Sequence, residues 1–330
     1  MKKQYKAIVL FSGGLDSQLA VCVLLKQGIH VEAIIYKSPF FDSIKGEQAA
    51  KALGINYHIL DFTEEILEQI QHPAHGFGKA MNPCIDCHAQ MIRVAGKKME
   101  EWGFDFIATG EVLAQRPMSQ NKQSLSVVAK CSQYGDLLVR PLCAALIEPT
   151  KPIREGWIDV DQLPAFSGRN RTPQIKLAED FGIKEYPAPA GGCLLTEPQF
   201  ANKLKDLLDH EGLDHDRNKV WLLKTGRHLR IADDVKIIVG ADQSDNEWLK
   251  KMAPPEALHI TCVDIPGPTT LAPPNISDEQ LKIAGAICAR YAKTPQNETV
   301  EVKITQNNTS HTIEVLPLSP EEILQFMVVN

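Results

Sequence analysis

The sequence predicts a doubly wound α/β domain on a parallel sheet, followed by a second domain of α+β character. Three observations carry that reading. Short apolar runs alternate with helical patterns through the first third of the chain, as parallel βαβ units require. A Ser-Gly-Gly turn joins the first run to the first helix. Beyond Pro198 the grammar changes to a helix, several strands and a terminal hairpin.

Residues 6–11 (KAIVLF) form an apolar run typical of a buried parallel strand. Apolar residues at helical spacing over 17–26, closed by Gln27-Gly28, predict the first helix. Strands are expected at 30–36 and 57–61, with a helix over 46–53 between them. A helix over 93–102 then leads to a strand over 104–109 that ends at Gly110. From about Gln115 the pattern loosens into a connecting region with one helix near 174–181. The turn-rich segment 186–192 (YPAPAGG) marks a boundary. Past it, a helix over 199–210 precedes strands at 221–223, 228–231 and 235–239, a helix over 279–292, and a hairpin of 299–304 with 311–316. The expected division is therefore 1–140, a nucleotide-binding domain; 141–197, a connecting region; and 198–330, the second domain.

A chain of 330 residues exceeds one typical core, which favours two domains. Its 44% hydrophobic and 23% charged residues are those of a soluble globular protein. No apolar run is long enough to span a bilayer. The basic start from Met1 to Lys6 lacks the apolar stretch of a signal peptide, so a cytoplasmic location and no membrane partner are expected. A net charge of −6 argues against bulk electrostatic coating of nucleic acid but leaves room for a local basic groove. The eight cysteines are scattered apart from one C-x-x-C pair. In a cytosolic protein such a pair points to metal, cluster or redox chemistry rather than a structural disulfide.

Ser12, Gly13, Gly14, Leu15, Asp16 and Ser17 lie between strand and helix. The glycines let a ligand approach the backbone, and amides at a helix start favour an anion. Ser12 and Ser17 add hydroxyl donors, while Asp16 beside a polyanion suits Mg²⁺ or a water on it. A tight turn with an Asp cap would explain a bare Ser-Gly-Gly; the whole hexapeptide behind a strand favours phosphate. No G-x-x-x-x-G-K-[ST] is present. The hexapeptide resembles the pyrophosphatase loop (PP-loop) of the ATP-pyrophosphatase superfamily, whose fold is adenine nucleotide alpha hydrolase-like. That resemblance implies cleavage of ATP between its α and β phosphates, with AMP passed to a carbonyl oxygen. It also implies that Tyr36 lies near adenine, although an ordinary strand-end aromatic fits as well. Thr109-Gly110-Glu111 resembles the Thr-Gly-His of tRNA thiolases, with Gly110 at the ATP edge and Glu111 departing from the usual His.

Pro83-Cys84-Ile85-Asp86-Cys87-His88 offers two thiols, and Gly191-Gly192-Cys193 a third. Cys84, Cys87, His88 and Cys193 match the ligand inventory of structural zinc. Three cysteines alone suit a 4Fe–4S cluster with one iron open. A disulfide–persulfide relay pairs Cys193 with Cys84 or Cys87. The c-type haem motif is matched only literally, since haem attachment needs export. The PP-loop, the C-x-x-C and the late Gly-Gly-Cys together resemble the tRNA 2-thiouridine synthases and their relatives. That resemblance implies sulfur chemistry at Cys84, Cys87 and Cys193, with Asp16 at the nucleotide, and tilts the three thiols towards the cluster.

Arg116, Arg169 and Arg171 stand in two short basic segments, expected at tRNA phosphates or the ATP α-phosphate. Lys224, Arg227, His228 and Arg230 gather on a turn and strand, where His228 and Arg230 share a face fit for a phosphate backbone. The motifs over 221–292 resemble the RNA-binding domain of NFACT-type ribosome quality-control proteins, with Gly240-Ala241 where Gly-Arg is usual. The expectation is an ATP-dependent tRNA thiolation enzyme with Mg²⁺, tRNA and a sulfur donor protein or inorganic sulfide as partners. An ATP-dependent ligase or thiolase acting on a small metabolite, and a non-catalytic RNA-binding adaptor, are the alternatives.

Overall fold

The computed structural model describes residues 3–116, 118–188, 192–213, 219–294, 298–307 and 309–328. Pro117 and residues 189–191 of the expected boundary segment lie outside the described residues. The chain forms two compact units, Met1–Thr196 and Glu197–Asn330.

In the first unit the elements run β1 (Lys6–Leu10), α1 (Leu15–Lys26), β2 (His30–Lys37), α2 (Ile44–Leu53), β3 (Asn56–Asp61), α3 (Thr63–Gln71), α4 (Cys84–Trp102), β4 (Phe106–Thr109), α5 (Lys122–Ser132), β5 (Leu138–Val139), α6 (Lys151–Arg154) and α7 (Thr172–Asp180). The described strands form a five-stranded sheet in the order β3-β2-β1-β4-β5, parallel throughout. The unit is the doubly wound α/β fold that the alternation predicts. Ala7 and Val9 of β1 face a core shared with Leu19, Val23 and Leu24 of α1, Ala50 of α2 and Ala178 of α7. Helix α4 packs against β1 and β4, flanked by α3 and α5. Because β1 pairs with β2 on one side and β4 on the other, connections leave it in opposite directions. Such a switch point is where open parallel sheets bind ligands.

Helix α4 starts at Cys84, well before the expected Arg93, so the C-x-x-C pair sits on its first turns rather than in a loop. Helix α5 fills part of the stretch whose pattern loosens.

The second unit runs α8 (Pro198–His210), α9 (Lys219–Leu222), β6 (Arg227–Ala232), β7 (Val235–Val239), α10 (Gln243–Met252), β8 (Leu258–Cys262), β9 (Thr270–Ala272), α11 (Asp278–Tyr291), β10 (Val300–Gln306), β11 (Thr309–Val315) and α12 (Pro320–Leu324). Six described strands form a sheet in the order β11-β10-β8-β9-β7-β6, antiparallel throughout. Helix α11 lays Ala284, Ile287 and Cys288 against it, in one core with Ile237, Val239, Ile260 and Val302. Ser277 and Gln280 close a capping box that fixes the start of α11. The strand expected at 221–223 is instead part of the short helix α9.

No described helix is long and apolar enough to cross a membrane.

Candidate functional site

Strand β1 ends at Leu10 and α1 begins at Leu15, so residues 11–14 turn at the carboxyl edge of the central strand. Gly13 takes φ +75°, and a Cβ there would lie 2.4 Å from the Lys45 carbonyl oxygen. Only glycine fits both demands. Gly14 caps α1 in extended conformation, and no described side chain closes that cap. Such a turn offers its amides to an outside anion. Ser12 Oγ accepts from the Gly14 amide at 3.4 Å, and Ser17 Oγ donates to the Gly14 carbonyl at 2.8 Å. Gln18, 2% exposed, braces the loop by donating to the Gly13 carbonyl at 2.9 Å. At the end of β4, a Cβ on Gly110 would lie 2.6 Å from the Ser17 amide nitrogen. The loop and the edge of β4 are therefore in contact at the switch point.

Asp16 Oδ2 accepts from Gln115 Nε2 at 2.9 Å and lies 3.6 Å from Arg171 Nη2. Asp16 Oδ1, Gln115 Oε1 and Arg171 Nε are buried without hydrogen-bond partners among the described residues. Arg171 arrives because its loop is stitched to the one after β4, where the Gly168 amide donates to the Leu113 carbonyl at 2.8 Å. With its side chain 17% exposed, Arg171 turns towards the phosphate loop rather than outwards to RNA. Arg169 and Arg116 are exposed. The two unmet oxygens, on Asp16 and Gln115, are hard acceptors that fit a hydrated Mg²⁺.

Tyr36, expected near adenine, lies near the end of β2. It is buried, its hydroxyl donates to the Met91 carbonyl at 2.6 Å, and its ring meets Phe62 at 5.0 Å.

Cys84 opens α4 and accepts from Asn82 Nδ2 at 3.1 Å. Cys87 is buried one turn on, and Cys193 is half-buried. The residue after Cys193 is anchored, with the Leu194 amide donating to the Phe40 carbonyl at 3.0 Å. Burial pushes the Cys87 thiol well above its ordinary value, and negative charge on Cys193, Cys84 and Asp86 pushes it further. Burial likewise pushes Cys193 up to about 11, against the pull of the Leu195 amide and the Arg116 guanidinium. The three thiols thus sense one another, and no disulfide joins the described cysteines. They are not gathered as ligands: among the described residues no three His, Cys, Asp or Glu side chains form a metal-binding group. As placed, they fit neither a 4Fe–4S cluster nor a zinc site. Cys87 faces the core, and His88 is turned aside to Glu111, with Nδ1 at 3.3 Å from Oε1.

Glu111, which departs from Thr-Gly-His, explains that turn. It is 8% exposed, accepts from Arg140 Nε at 2.8 Å and from the Thr109 hydroxyl at 3.1 Å, and faces His88. Burial opposes its ionisation, but Arg140 and then His88 outweigh that and hold the carboxyl well below the usual carboxylate range. Gly110-Glu111 is therefore a junction, with Gly110 against the phosphate loop and Glu111 against the residue after Cys87. Sequence reasoning missed Gln115 and Arg140 as parts of this site, and weighed His88 as a zinc ligand rather than as the partner of Glu111. The one signal was Glu111 itself, a charged residue at a buried strand end that needs a partner.

In the second unit the face expected to grip RNA is covered. Asp206 of α8 accepts from Arg230 at 2.6 and 2.9 Å and pairs with Lys236 at 2.8 Å. His228 is 1% exposed and bonds the Thr225 carbonyl at 3.0 Å. Arg230 and His228 are thus internal, because their shared strand face lies under α8. Arg227 points the other way, over the Tyr291 ring at 4.6 Å, and Lys224 lies over Trp221 at 4.8 Å. Between these two cations the Gly226 amide donates to Asp245 Oδ2 at 3.1 Å, which fixes the turn.

Residues 2–148 match the family model described as thiamine biosynthesis protein (ThiI), and residues 226–327 match the NFACT protein RNA binding domain. A tRNA-specific 2-thiouridylase MnmA of Sulfurimonas denitrificans is 31% identical over 122 residues, which is 33% of this chain and 35% of that protein. A probable tRNA sulfurtransferase of Lysinibacillus sphaericus is 30% identical over 150 residues, or 42% of this chain and 35% of that one. A solved 4-thiouridine synthetase–RNA complex with bound ATP aligns with a TM-score of 0.43 at 22% identity, over 59% of this chain and 46% of that one. The chain spans only 35 to 48% of the length of these and a further 2-thiouridylase relative. The chain thus resembles ThiI in its first part, residues 2–148, and the NFACT RNA binding domain in its last, residues 226–327.

Proposed function

We propose that this chain is an ATP-dependent tRNA sulfurtransferase that adenylates a uridine carbonyl and replaces its oxygen with sulfur. The observation that carries the reading is Gly110-Glu111, which touches the phosphate loop at Ser17 and the thiol-bearing helix at His88. Nucleotide activation and sulfur transfer need that adjacency, because the adenylated carbon must meet a sulfur before it meets water. The likeness to thiouridylases and sulfurtransferases supports the same reading. In it, residues 1–140 hold ATP, 141–197 bring Cys193, and 198–330 dock RNA through Lys224 and Arg227, with Arg116 and Arg169 as further contacts. The location is cytoplasmic, as for an enzyme that meets tRNA and ATP.

The uridine oxygen attacks the α-phosphorus, the bond to the β-phosphate oxygen breaks, and pyrophosphate leaves into the loop from Ser12 to Ser17. Mg²⁺, held through Asp16 and Gln115, would neutralise that leaving charge. The terminal sulfur of a persulfide on one thiol then attacks the adenylated carbon and AMP leaves. A second thiol attacks the carrier sulfur, freeing the thiouridine and leaving a disulfide between two of Cys84, Cys87 and Cys193. An external thiol reductant reopens it. A donor protein's persulfide then passes its outer sulfur to a freed thiol; inorganic sulfide enters instead by attacking the disulfide itself, which leaves a persulfide on one cysteine and a thiol on the other. The alternative read from the sequence, a 4Fe–4S cluster on Cys84, Cys87 and Cys193, would need the three thiols to gather beyond their present placement, and no step above passes through it.

The test incubates the protein with tRNA, Mg·ATP and a sulfide or persulfide source, and measures thiolated nucleosides and AMP. Thiouridine that depends on ATP and disappears in Cys193→Ser and Asp16→Ala is the expected result. AMP formation without RNA would sink the proposal in favour of a small-molecule substrate. Iron and sulfide analysis after anaerobic purification separates the two sulfur carriers.

A further inference from the structure

We infer that Arg171 and Gln115 form a latch on Asp16, which Mg·ATP opens by taking Asp16 for the metal and Arg171 for a phosphate. The inference rests on the ATP-binding reading above.

The latch is recognisable by how poorly it is satisfied. Settled Arg–carboxylate pairs elsewhere in the chain hydrogen-bond closely: Arg230 to Asp206 at 2.6 and 2.9 Å, Arg140 to Glu111 at 2.8 Å, and Arg154 to Asp136 at 2.8 and 3.0 Å. Arg171 instead stands 3.6 Å from Asp16 Oδ2, beyond hydrogen-bond reach. Each of the three groups also keeps one unmet atom: Asp16 Oδ1 and Gln115 Oε1 as acceptors, and Arg171 Nε as a donor. Leaving buried polar atoms unmet is costly, so such a cluster signals a missing partner. The partner must bring a cation or donors for two oxygens and an anion for one guanidinium nitrogen. A magnesium-bound phosphate has that combination, whereas an RNA phosphate alone leaves the two oxygens unmet.

The pairing also answers an electrostatic problem. A bare Asp16 at the mouth of a phosphate loop would repel the triphosphate. Arg171 offsets that charge while the site is empty, and the metal offsets it once nucleotide is bound. The guanidinium then becomes available to the same ligand that displaced it.

Isothermal titration of the full chain with ATP, in magnesium and in EDTA, tests this on wild type, Asp16→Asn, Arg171→Gln and the double variant, with melting curves as folding controls. Asp16→Asn should free Arg171 and tighten metal-free ATP by about tenfold, the scale usual for neighbours that share a partner. It should also erase the benefit of magnesium. Arg171→Gln should weaken ATP in both buffers, and the double variant should lack the gain seen in Asp16→Asn. If Arg171→Gln does not fold, Arg171→Lys, which keeps the charge but loses the fork, should give a weakened version of the same pattern. Metal-free affinity left unchanged by Asp16→Asn, or strictly additive effects, would overturn the latch while leaving ATP binding intact. A wild-type chain that binds ATP in neither buffer would overturn the functional reading beneath it.

Discussion

Arg140 Nε donates to Glu111 Oε2 at 2.8 Å, in a pair whose side chains are only 5% and 10% exposed. A second guanidinium nitrogen donates to the Leu125 carbonyl at 3.1 Å, so Arg140 ties the end of β4 to α5. Removing one member of such a pair strands the other charge in the core. Arg140→Met should therefore destabilise the first unit by about 3–5 kcal/mol, read from denaturant midpoints. Adding Glu111→Gln should recover part of that loss, because no lone carboxylate remains.

The same pair sets a pH dependence. Arg140 and His88 hold the Glu111 carboxyl well below the usual carboxylate range. A depressed folded value means that the unfolded chain takes up a proton first as pH falls. The contribution of Glu111 is thus complete above the unfolded value of about 4.3 and fades as pH drops below it towards the folded value. Stability measured from pH 6 to 3 should fall more steeply in wild type than in Glu111→Gln, and equal slopes would refute the assignment.

Gly110→Ala should damage both nucleotide binding and folding. Its Cβ would lie 2.6 Å from the Ser17 amide nitrogen and 2.8 Å from the Asp16 carbonyl oxygen, which are backbone atoms that cannot swing away. The first turn of α1 would have to shift out of its anion-facing position. ATP affinity should drop by at least about tenfold, and the melting temperature should fall as well, because the new Cβ strains the folded backbone at the loop. Unchanged affinity would show that Gly110 does not shape the loop.

The legible parts of the chain are those with a periodic signal. β1 stands out because a strand buried on both faces is continuously apolar, β7 through its Ile-Ile-Val run after Lys236, and the phosphate loop through its glycines. The first turns of α4 were hidden because Pro83, not a Ser, Thr or Asp, precedes them, and Cys84 to Gln90 mix apolar and polar residues without a clean stripe. Residues 221–223 look like a strand but belong to or follow a single helical turn. The charged residues mislead for another reason, since a sequence does not reveal which way an arginine points. The sequence leaves Arg171 between tRNA phosphates and the ATP α-phosphate, and puts Arg230 at RNA. One faces Asp16 and the other is buried against α8, because carboxylates distant in sequence meet them after folding. Gln115 carried no signal, since a lone loop glutamine belongs to no motif.

Thiol chemistry offers a fourth check. Burial sets Cys193 at about 11 even with Arg116 pulling it down. Only the thiolate reacts with an alkylating agent, so Cys193 should label slowly at neutral pH and faster as pH climbs towards 11. Arg116→Gln removes the pull and should slow labelling further at each pH below that value. Peptide mass spectrometry after timed exposure to iodoacetamide reads this directly. Labelling of Cys193 that saturates below pH 8, or that ignores Arg116, would refute the burial argument.

The second unit allows cations with different duties to be separated. Arg227 lies over Tyr291 and bonds the Gly240 carbonyl at 3.3 Å, a partly buried placement that leaves its fork near the surface turn at Gly226. Arg230 is spent on Asp206, whose carboxyl is lowered to about 2 because Arg230 and Lys236 outweigh its burial. Charge removal should therefore split by face. Lys224→Gln and Arg227→Gln should each weaken tRNA binding and reduce the slope of log affinity against log salt by about one, the signature of one phosphate contact. Arg230→Gln should leave that slope alone and instead destabilise the unit, since it removes two hydrogen bonds from Asp206 of α8 and leaves Lys236 to pair with it there. Filter binding over a salt series, paired with melting curves, distinguishes the two. A salt slope that falls in Arg230→Gln but not in Arg227→Gln would place the RNA on the opposite face of the sheet.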